Sequence, residues 1–224
     1  MTPGAVDASF DTLPATLPIF PLPGALLLPG GKLPLQIFEP RYLVMTRDAL
    51  SSERMIGMVQ PRDQASEAQG PVSHTAALYP VGCAGRITSF SESDDGRFLI
   101  TLTGLCRFTI EREIPTVGGY RRVVPDFGRF RADLDRADAA TIDRGRLLQA
   151  LQSYFASQKI SIDLTAIAEV PDDKLITSLA MVCPFDASEK QAILEAADLS
   201  ERSRVMTALL ELGVFSVEGE GARH

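Results

Sequence analysis

The chain has 224 residues, of which 45% are hydrophobic and 23% are charged, and its formal net charge is −7 at pH 7. This balance is typical of a globular protein with one sizeable core or two modest ones, and the acidic excess disfavours binding to nucleic acid or an anionic membrane. Three scattered cysteines are too few for a disulfide framework or a zinc site, so no metal or other cofactor is expected.

The N-terminal third is apolar but rich in proline. Asp7 and Asp11 precede the apolar run and no basic cluster does, which is not the pattern of a secretion signal. Residues 17–42 could span a bilayer by hydrophobicity alone, but each proline in a helix interior costs roughly 3 kcal/mol. A membrane helix is therefore excluded, and short strands at a sheet edge or a bulge are predicted in a cytoplasmic protein. The prolines inside the run are Pro18, Pro21, Pro23, Pro29 and Pro34.

Strand patterns dominate the chain as far as residue 127. Leu33, Leu35 and Ile37 alternate with other residues, which predicts a strand with these three on one face. Glu39-Pro40 then begins a helix, since proline suits a first helical turn. MIGMVQ, at 55–60, is predicted to be a short buried strand, and a polar loop follows it.

Two longer strand patterns flank the turn sequence SESDDG, and a last strand, YRRVVPDF, ends at Pro125. Gly104 interrupts the second long strand and predicts a bulge with a sharp bend. A bend of this kind would allow one sheet to close into a barrel.

The pattern changes to a helical period after residue 131, where all the excess negative charge also lies. A second helix is predicted over 172–182. Asp186 with Glu189 forms a capping-box pattern for the third helix, and we expect Ser200 to cap a fourth helix that stops at Gly213. The first predicted helix of this region has a stripe of apolar and aromatic residues along one side, formed by Leu147, Leu148, Leu151, Tyr154 and Phe155.

Four separated motifs agree in order and spacing with a known family. They are LPIFPLPGALLLPGGKLPLQIFEPRY, LYPVGCAGRI, DGRFLITLTGLCRFTI and GYRRVVPDF. The chain resembles the N-terminal, substrate-binding domain of the ATP-dependent Lon proteases over residues 17–127, and its helical region resembles the bundle that follows there. Stand-alone bacterial proteins of this kind exist, and the resemblance implies that this chain is one of them.

The resemblance implies an α+β fold, in which a PUA-like β pseudo-barrel is followed by a C-terminal α-helical bundle. We expect an N-terminal tail over 1–16, the barrel over 17–130, the bundle over 131–215 and a C-terminal tail over 216–224. In the family this module takes part in substrate recognition and assembly.

The catalytic motifs of a full Lon protease are not found in this sequence. PGGKL at 29–33 approaches a phosphate-binding loop, but Leu26 stands where the first glycine is required and Leu33 where a hydroxyl must hold magnesium. None of the four lysines lies in a segment that resembles the family's Ser–Lys protease motif, and His74 is expected to be a solvated loop residue. We therefore expect no catalytic residues.

The main functional hypothesis is a module that binds unfolded or damaged polypeptides, or docks to a protease or chaperone partner. Strand alternation cannot bury Leu26, Leu27 and Leu28 on one side, so at least one should point outward to a client. The alternative is that they pack between the barrel and the helical region.

The segment FEPRY is a second candidate for polypeptide binding. Phe38, Arg41 and Tyr42 form either a recognition corner or a structural one. In the structural interpretation, Glu39 favours the helix N-terminus, Tyr42 enters the core and Arg41 ties the helix to the barrel through an ion pair.

Two other functions stay open on the sequence alone. PUA-like folds often bind RNA, and a run of arginines could form a patch, although local acidic partners are the simpler interpretation. The arginines of this possible RNA-binding patch are Arg107, Arg112, Arg121, Arg122, Arg129 and Arg131. The second open function is that of a regulatory subunit that joins full-length Lon in trans.

Overall fold

Among the residues described, the N-terminal part of the chain contains six strands, one α-helix and two 3₁₀ segments. A computed structural model describes residues 10–62, 75–135, 141–158, 160, 167 and 169–221. The chain forms two units, Met1–Ala137 and Asp138–His224. The strands are β1 (Leu17–Pro21), β2 (Lys32–Ile37), β3 (Met55–Val59), β4 (Val81–Glu92), β5 (Phe98–Val117) and β6 (Tyr120–Asp126), and helix α1 is Pro40–Leu50.

The sheet of the first unit closes on itself. Its strand order is β2-β5-β4-β3-β1-β6, and β6 also pairs with β5. β1 and β3 are parallel, and the other pairs are antiparallel. Five strands therefore form a ring, and β2 is added to the N-terminal half of β5. The predicted α+β fold with a closed sheet is confirmed.

Strand β5 belongs to both parts of this sheet because it bends at Gly104. The register with β4 jumps there, since Ala84 pairs with Cys106 whereas Gly85 pairs with Gly104, which leaves Leu105 as the extra residue of a bulge. The predicted bulge is confirmed. Before the bend β5 pairs with β2, and after it β5 pairs with β6.

The loop between β1 and β2 crosses β5 at this bend. Gly30 donates its N–H to the Gly104 carbonyl and Gly104 donates to the Gly31 carbonyl, both at 2.9 Å. A Cβ at position 104 would lie 2.1 Å from the carbonyl oxygen of Leu28. Only glycine therefore permits this backbone approach.

The expectation that one of Leu26, Leu27 and Leu28 points outward is wrong. They are 2%, 1% and 0% exposed. Strand alternation does not apply, because the three residues lie in a loop. The side chain of Leu27 fills space that Gly85 and Gly104 leave open. Its nearest atoms lie 2.7 Å and 3.3 Å, respectively, from where a Cβ at each glycine would be.

The helical unit contains α2 (Arg144–Ser157), α3 (Asp172–Val182), α4 (Ala187–Glu195) and α5 (Leu199–Gly221). The predicted capping box of α4 is confirmed: Glu189 N–H donates to Asp186, and Asp186 N–H donates to the Glu189 carboxylate. None of the helices in the described part of the chain combines the length and hydropathy that a bilayer crossing requires.

The predictions for the fourth helix, α5, are wrong at both ends. Asp198 rather than Ser200 provides the cap, since the Glu201 N–H donates to Asp198 Oδ1 at 2.7 Å. The helix continues through Gly213 to Gly221. Gly213 is a packing residue, because a Cβ there would come within 2.6 Å of the Tyr154 ring.

We expect Gly104→Ala to lower the free energy of unfolding by about 3 kcal/mol, since the new methyl group would displace the Leu28 backbone. Gly128→Ala is a control in the same unit, where the added Cβ meets only a carboxylate oxygen of Asp126 at 3.1 Å. Urea unfolding followed by circular dichroism measures both. Equal stabilities of the two variants would contradict the role given to the bend.

Candidate functional site

Strand β2 lies at the end of the sheet order and pairs with β5 alone among the described strands. Lys32 is opposite Thr103, and the next bond along the ladder runs from the Gly104 N–H to the Gly31 carbonyl. In an antiparallel ladder this makes Lys32–Thr103 a non-hydrogen-bonded pair. The bonds to β5 therefore start at Leu33 and recur at every second residue.

Lys32, Pro34 and Gln36, which alternate with the residues bonded to β5, turn their backbone groups away from β5. On this open edge, Lys32 and Gln36 each offer an N–H and a carbonyl, whereas Pro34 offers a carbonyl alone. All three residues are exposed. The edge thus has two donors and three acceptors for which the described strands supply no partner strand.

Apolar side chains accompany this edge. Phe38, directly after β2, is 64% exposed, and Leu99, paired with Gln36, is 46% exposed. Large apolar side chains with this much exposure are informative when they lie together. We call the backbone of Lys32, Pro34 and Gln36, with the side chains of Phe38 and Leu99, the β2 edge surface.

The segment that follows Phe38 is a structural corner. Glu39 precedes the first residue of α1, and its carboxylate accepts from Arg41 at 2.9 Å. Tyr42 is 4% exposed, and its ring centroid lies 4.1 Å from that of Phe20. The structural interpretation of Tyr42 is confirmed. Arg41 pairs with Glu39 of the same corner, and its guanidinium also lies 4.5 Å from the centroid of the Tyr42 ring.

Burial raises the pKa of Tyr42 to about 12. An unfolded tyrosine ionises near pH 10, so Tyr42 contributes stability below about pH 10 that is lost as the pH rises through about 12. We expect the free energy of unfolding to fall between pH 10 and 12, and to fall by about 2 kcal/mol less in Tyr42→Phe. Urea titrations across this range measure the difference. An identical decline in both proteins would exclude Tyr42 as a cause.

Two of the six arginines proposed for RNA binding are buried in ion pairs. Arg107 donates to both oxygens of Asp133 through its side chain, at 2.7–3.2 Å, and through its backbone N–H at 2.9 Å. Arg121 pairs with Glu113 and also donates to the Ala76 carbonyl at 2.7 Å.

Three of the remaining arginines have local partners. Arg129 stacks on Phe130, and Arg131 stacks on Phe10, while Arg122 donates to the Thr16 hydroxyl. The interpretation by acidic partners holds for Arg107 and Arg121, whereas the partners described for Arg122, Arg129 and Arg131 are a hydroxyl and two aromatic rings. The predicted RNA patch is therefore incomplete, because its buried members have no surface to offer.

The Arg107–Asp133 pair holds the 3₁₀ segment Gly128–Leu134 against β5. Asp133→Ala should lower the free energy of unfolding by about 3–5 kcal/mol, because it leaves Arg107 buried without its partner. Asp95→Ala is the control, since the Arg97–Asp95 pair is about half exposed and screened by solvent, so its loss should lower the free energy of unfolding far less. Urea unfolding measures both, and equal losses would contradict the assignment.

The PGGKL segment has no free phosphate cradle. The N–H of Gly30 is donated to Gly104 and that of Gly31 to Leu28, so neither is available to an anion. Within the described residues, no group of three or more histidine, cysteine or acidic side chains could hold a metal ion. His74 and Lys159 lie outside the described residues.

The prolines predict short strands at a sheet edge or a bulge, and β2, which contains Pro34, lies at the edge of the sheet. The spacing of Leu33, Leu35 and Ile37 identifies this strand without showing which strands pair with it. Phe38 was a candidate binding residue and is exposed, whereas no pattern in the sequence indicated Leu99.

Comparisons with known proteins identify the family. The family model described as "ATP-dependent protease La (LON) substrate-binding domain" matches residues 16–211. The chain belongs to this family of substrate-binding domains.

Curated relatives are longer proteins. A Lon protease from Anaeromyxobacter dehalogenans is 26% identical over 203 residues, which are 89% of this chain and 23% of that protein. A Lon protease from Parabacteroides distasonis is 28% identical over 203 residues, covering 84% of this chain and 23% of that protein. The chain spans about a quarter of the length of these relatives.

Solved structures show the same fold. A Lon N-terminal domain protein from Xanthomonas campestris matches with a TM-score of 0.59 and 21% identity, over 86% of this chain and 97% of that one. The N-terminal domain of a Mycobacterium avium complex Lon protease matches with a TM-score of 0.53 and 15% identity, over 87% and 97% respectively.

Proposed function

We propose that this chain binds unfolded or damaged polypeptides in the cytoplasm without cleaving them, and that the contact is the β2 edge surface. The observation that carries the proposal is Phe38, which is 64% exposed at the end of an open strand edge. Membership of a substrate-binding domain family supports a protein as the ligand.

The leucine loop is not part of the proposed contact. Leu26, Leu27 and Leu28 are already buried, so a client could reach them only if the β1–β2 loop left the bend at Gly104. From the FEPRY segment, Phe38 is the residue that a client would contact, with Arg41 at its margin. Tyr42 would act by holding α1 in place.

The expected affinity is modest. Burying one aromatic or aliphatic side chain contributes roughly 1.5–3 kcal/mol, whereas association costs on the order of 4–15 kcal/mol. Phe38 and Leu99 alone therefore cannot give tight binding. Additional backbone bonds, or several copies acting on one client, are required.

Docking to a protease or chaperone partner, including full-length Lon, is the second candidate. It is favoured by the curated relatives, which are Lon proteases that contain a related segment within a longer chain. Such a partner would present a folded surface, whereas a client would present an extended chain. Binding of casein, an unfolded polypeptide, separates the two.

Phe38→Ser should weaken binding of fluorescein-labelled casein by about tenfold, because the exposed ring supplies apolar contact. Val182→Ser is the matched control, since Val182 is 78% exposed in the helical unit and its loss should leave binding unchanged. Fluorescence anisotropy measures both. Equal binding by the two variants would refute the β2 edge surface as the contact, and cleavage of casein would refute a purely binding role.

A further inference from the structure

The open edge of β2 has unfilled apolar surface on both sides of the sheet. Leu99 is exposed on the face that it shares with Gln36. On the opposite face, Leu33 and Leu35 are half-buried, although the residues paired with them on β5, Leu102 and Ile100, are buried. A strand added beside β2 would pack on Leu33 and Leu35 on one face and on Pro34 and Gln36, next to Phe38, on the other, with Leu99 one strand farther away.

We propose that a client binds by adding a strand to the open edge of β2, and that its segment is apolar on both faces. This inference rests on the proposed function and specifies the class of client. A continuous run of valine, isoleucine or leucine is typical of strands buried on both faces in a folded protein. Such a run is accessible only when that protein is unfolded.

Backbone bonds supply the affinity that two side chains lack. The added strand would donate to the carbonyls of Lys32, Pro34 and Gln36, and accept from the N–H groups of Lys32 and Gln36. These bonds do not depend on side-chain identity, so many clients could be held in the same way. Pro34 leaves one carbonyl of the client without a donor.

A second copy of this chain is a poorer occupant than a client. Two paired β2 strands would each contribute a Pro34, so two donors would be missing instead of one. Each copy also has a net charge of −7, which disfavours self-association. An unfolded client need not contribute a second proline or a net negative charge.

Pro34→Ala tests the inference as a gain of binding. The change adds an N–H on the open edge, so strand addition predicts binding about two- to tenfold tighter. It also removes the exposed proline ring, so docking by apolar contact alone predicts equal or weaker binding. Gln36→Pro removes a donor from the same edge and should weaken binding by a similar factor. Pro184→Ala, in the helical unit, should change nothing.

The probe is a fluorescein-labelled peptide in which a run of valine and isoleucine is flanked by polar residues. The same peptide N-methylated along the run keeps its side chains but loses its donors, and it should not bind measurably. Circular dichroism checks that each variant is folded, and sedimentation velocity reports whether Pro34→Ala is monomeric.

Binding that is unchanged or weaker in Pro34→Ala, or retained by the N-methylated peptide, overturns strand addition. If Phe38→Ser still weakens casein binding, the proposed function survives that result. A Pro34→Ala protein that forms dimers which the peptide does not dissociate would make a second copy the occupant, and would also overturn the inference. Absence of casein binding by the unaltered chain would refute the proposed function itself.

Discussion

The close backbone approach at Gly104 is the constraint on which the rest of the first unit depends. Strand β5 pairs with strands of the five-stranded ring and also with β2. It can do both because it bends at Gly104, which has no side chain. The carbonyl of Leu28 occupies the space that a Cβ would need, and two backbone bonds tie the loop to the bend. This crossing sends the chain into β2 outside the ring, so it creates the open edge at the same time as it buries the leucines.

Two buried arginines in this unit hold the fold together. Arg107 and Asp133 are both almost fully buried and join β5 to the 3₁₀ segment, while Arg121 bonds to Glu113 and to a backbone carbonyl. The β2 edge surface consists of backbone groups and apolar side chains, with Lys32 as its one charged residue. These groups suit the proposed polypeptide ligand better than a phosphate-rich polymer, whose affinity rests largely on cationic contacts.

The sequence predicts local structure well here because the determinants are local. Alternation of Leu33, Leu35 and Ile37 identifies β2, and Glu39-Pro40 marks the start of α1. The ends of α5 were missed because Asp198 competes with Ser200 as a cap and because Gly213 packs on a distant ring. The burial of the leucine loop was missed for a similar reason, since it depends on Gly85 and Gly104, which lie far along the chain. The prolines indicate an edge or bulged strand, but no local pattern specifies which strands pair and which side of β2 stays open.

Pro34 helps to explain how an exposed strand edge can persist without promoting aggregation. An unprotected edge strand pairs readily with other chains and promotes aggregation, and proline or lysine on the edge is a common protection. β2 has both, with Lys32 at one end and Pro34 in the middle. Each missing donor weakens every pairing, with a client as with a copy, so the protection limits affinity as well as aggregation. In the proposed role, weak binding suits a surface that must release its client, and the same proline that restrains pairing would also limit the affinity for clients.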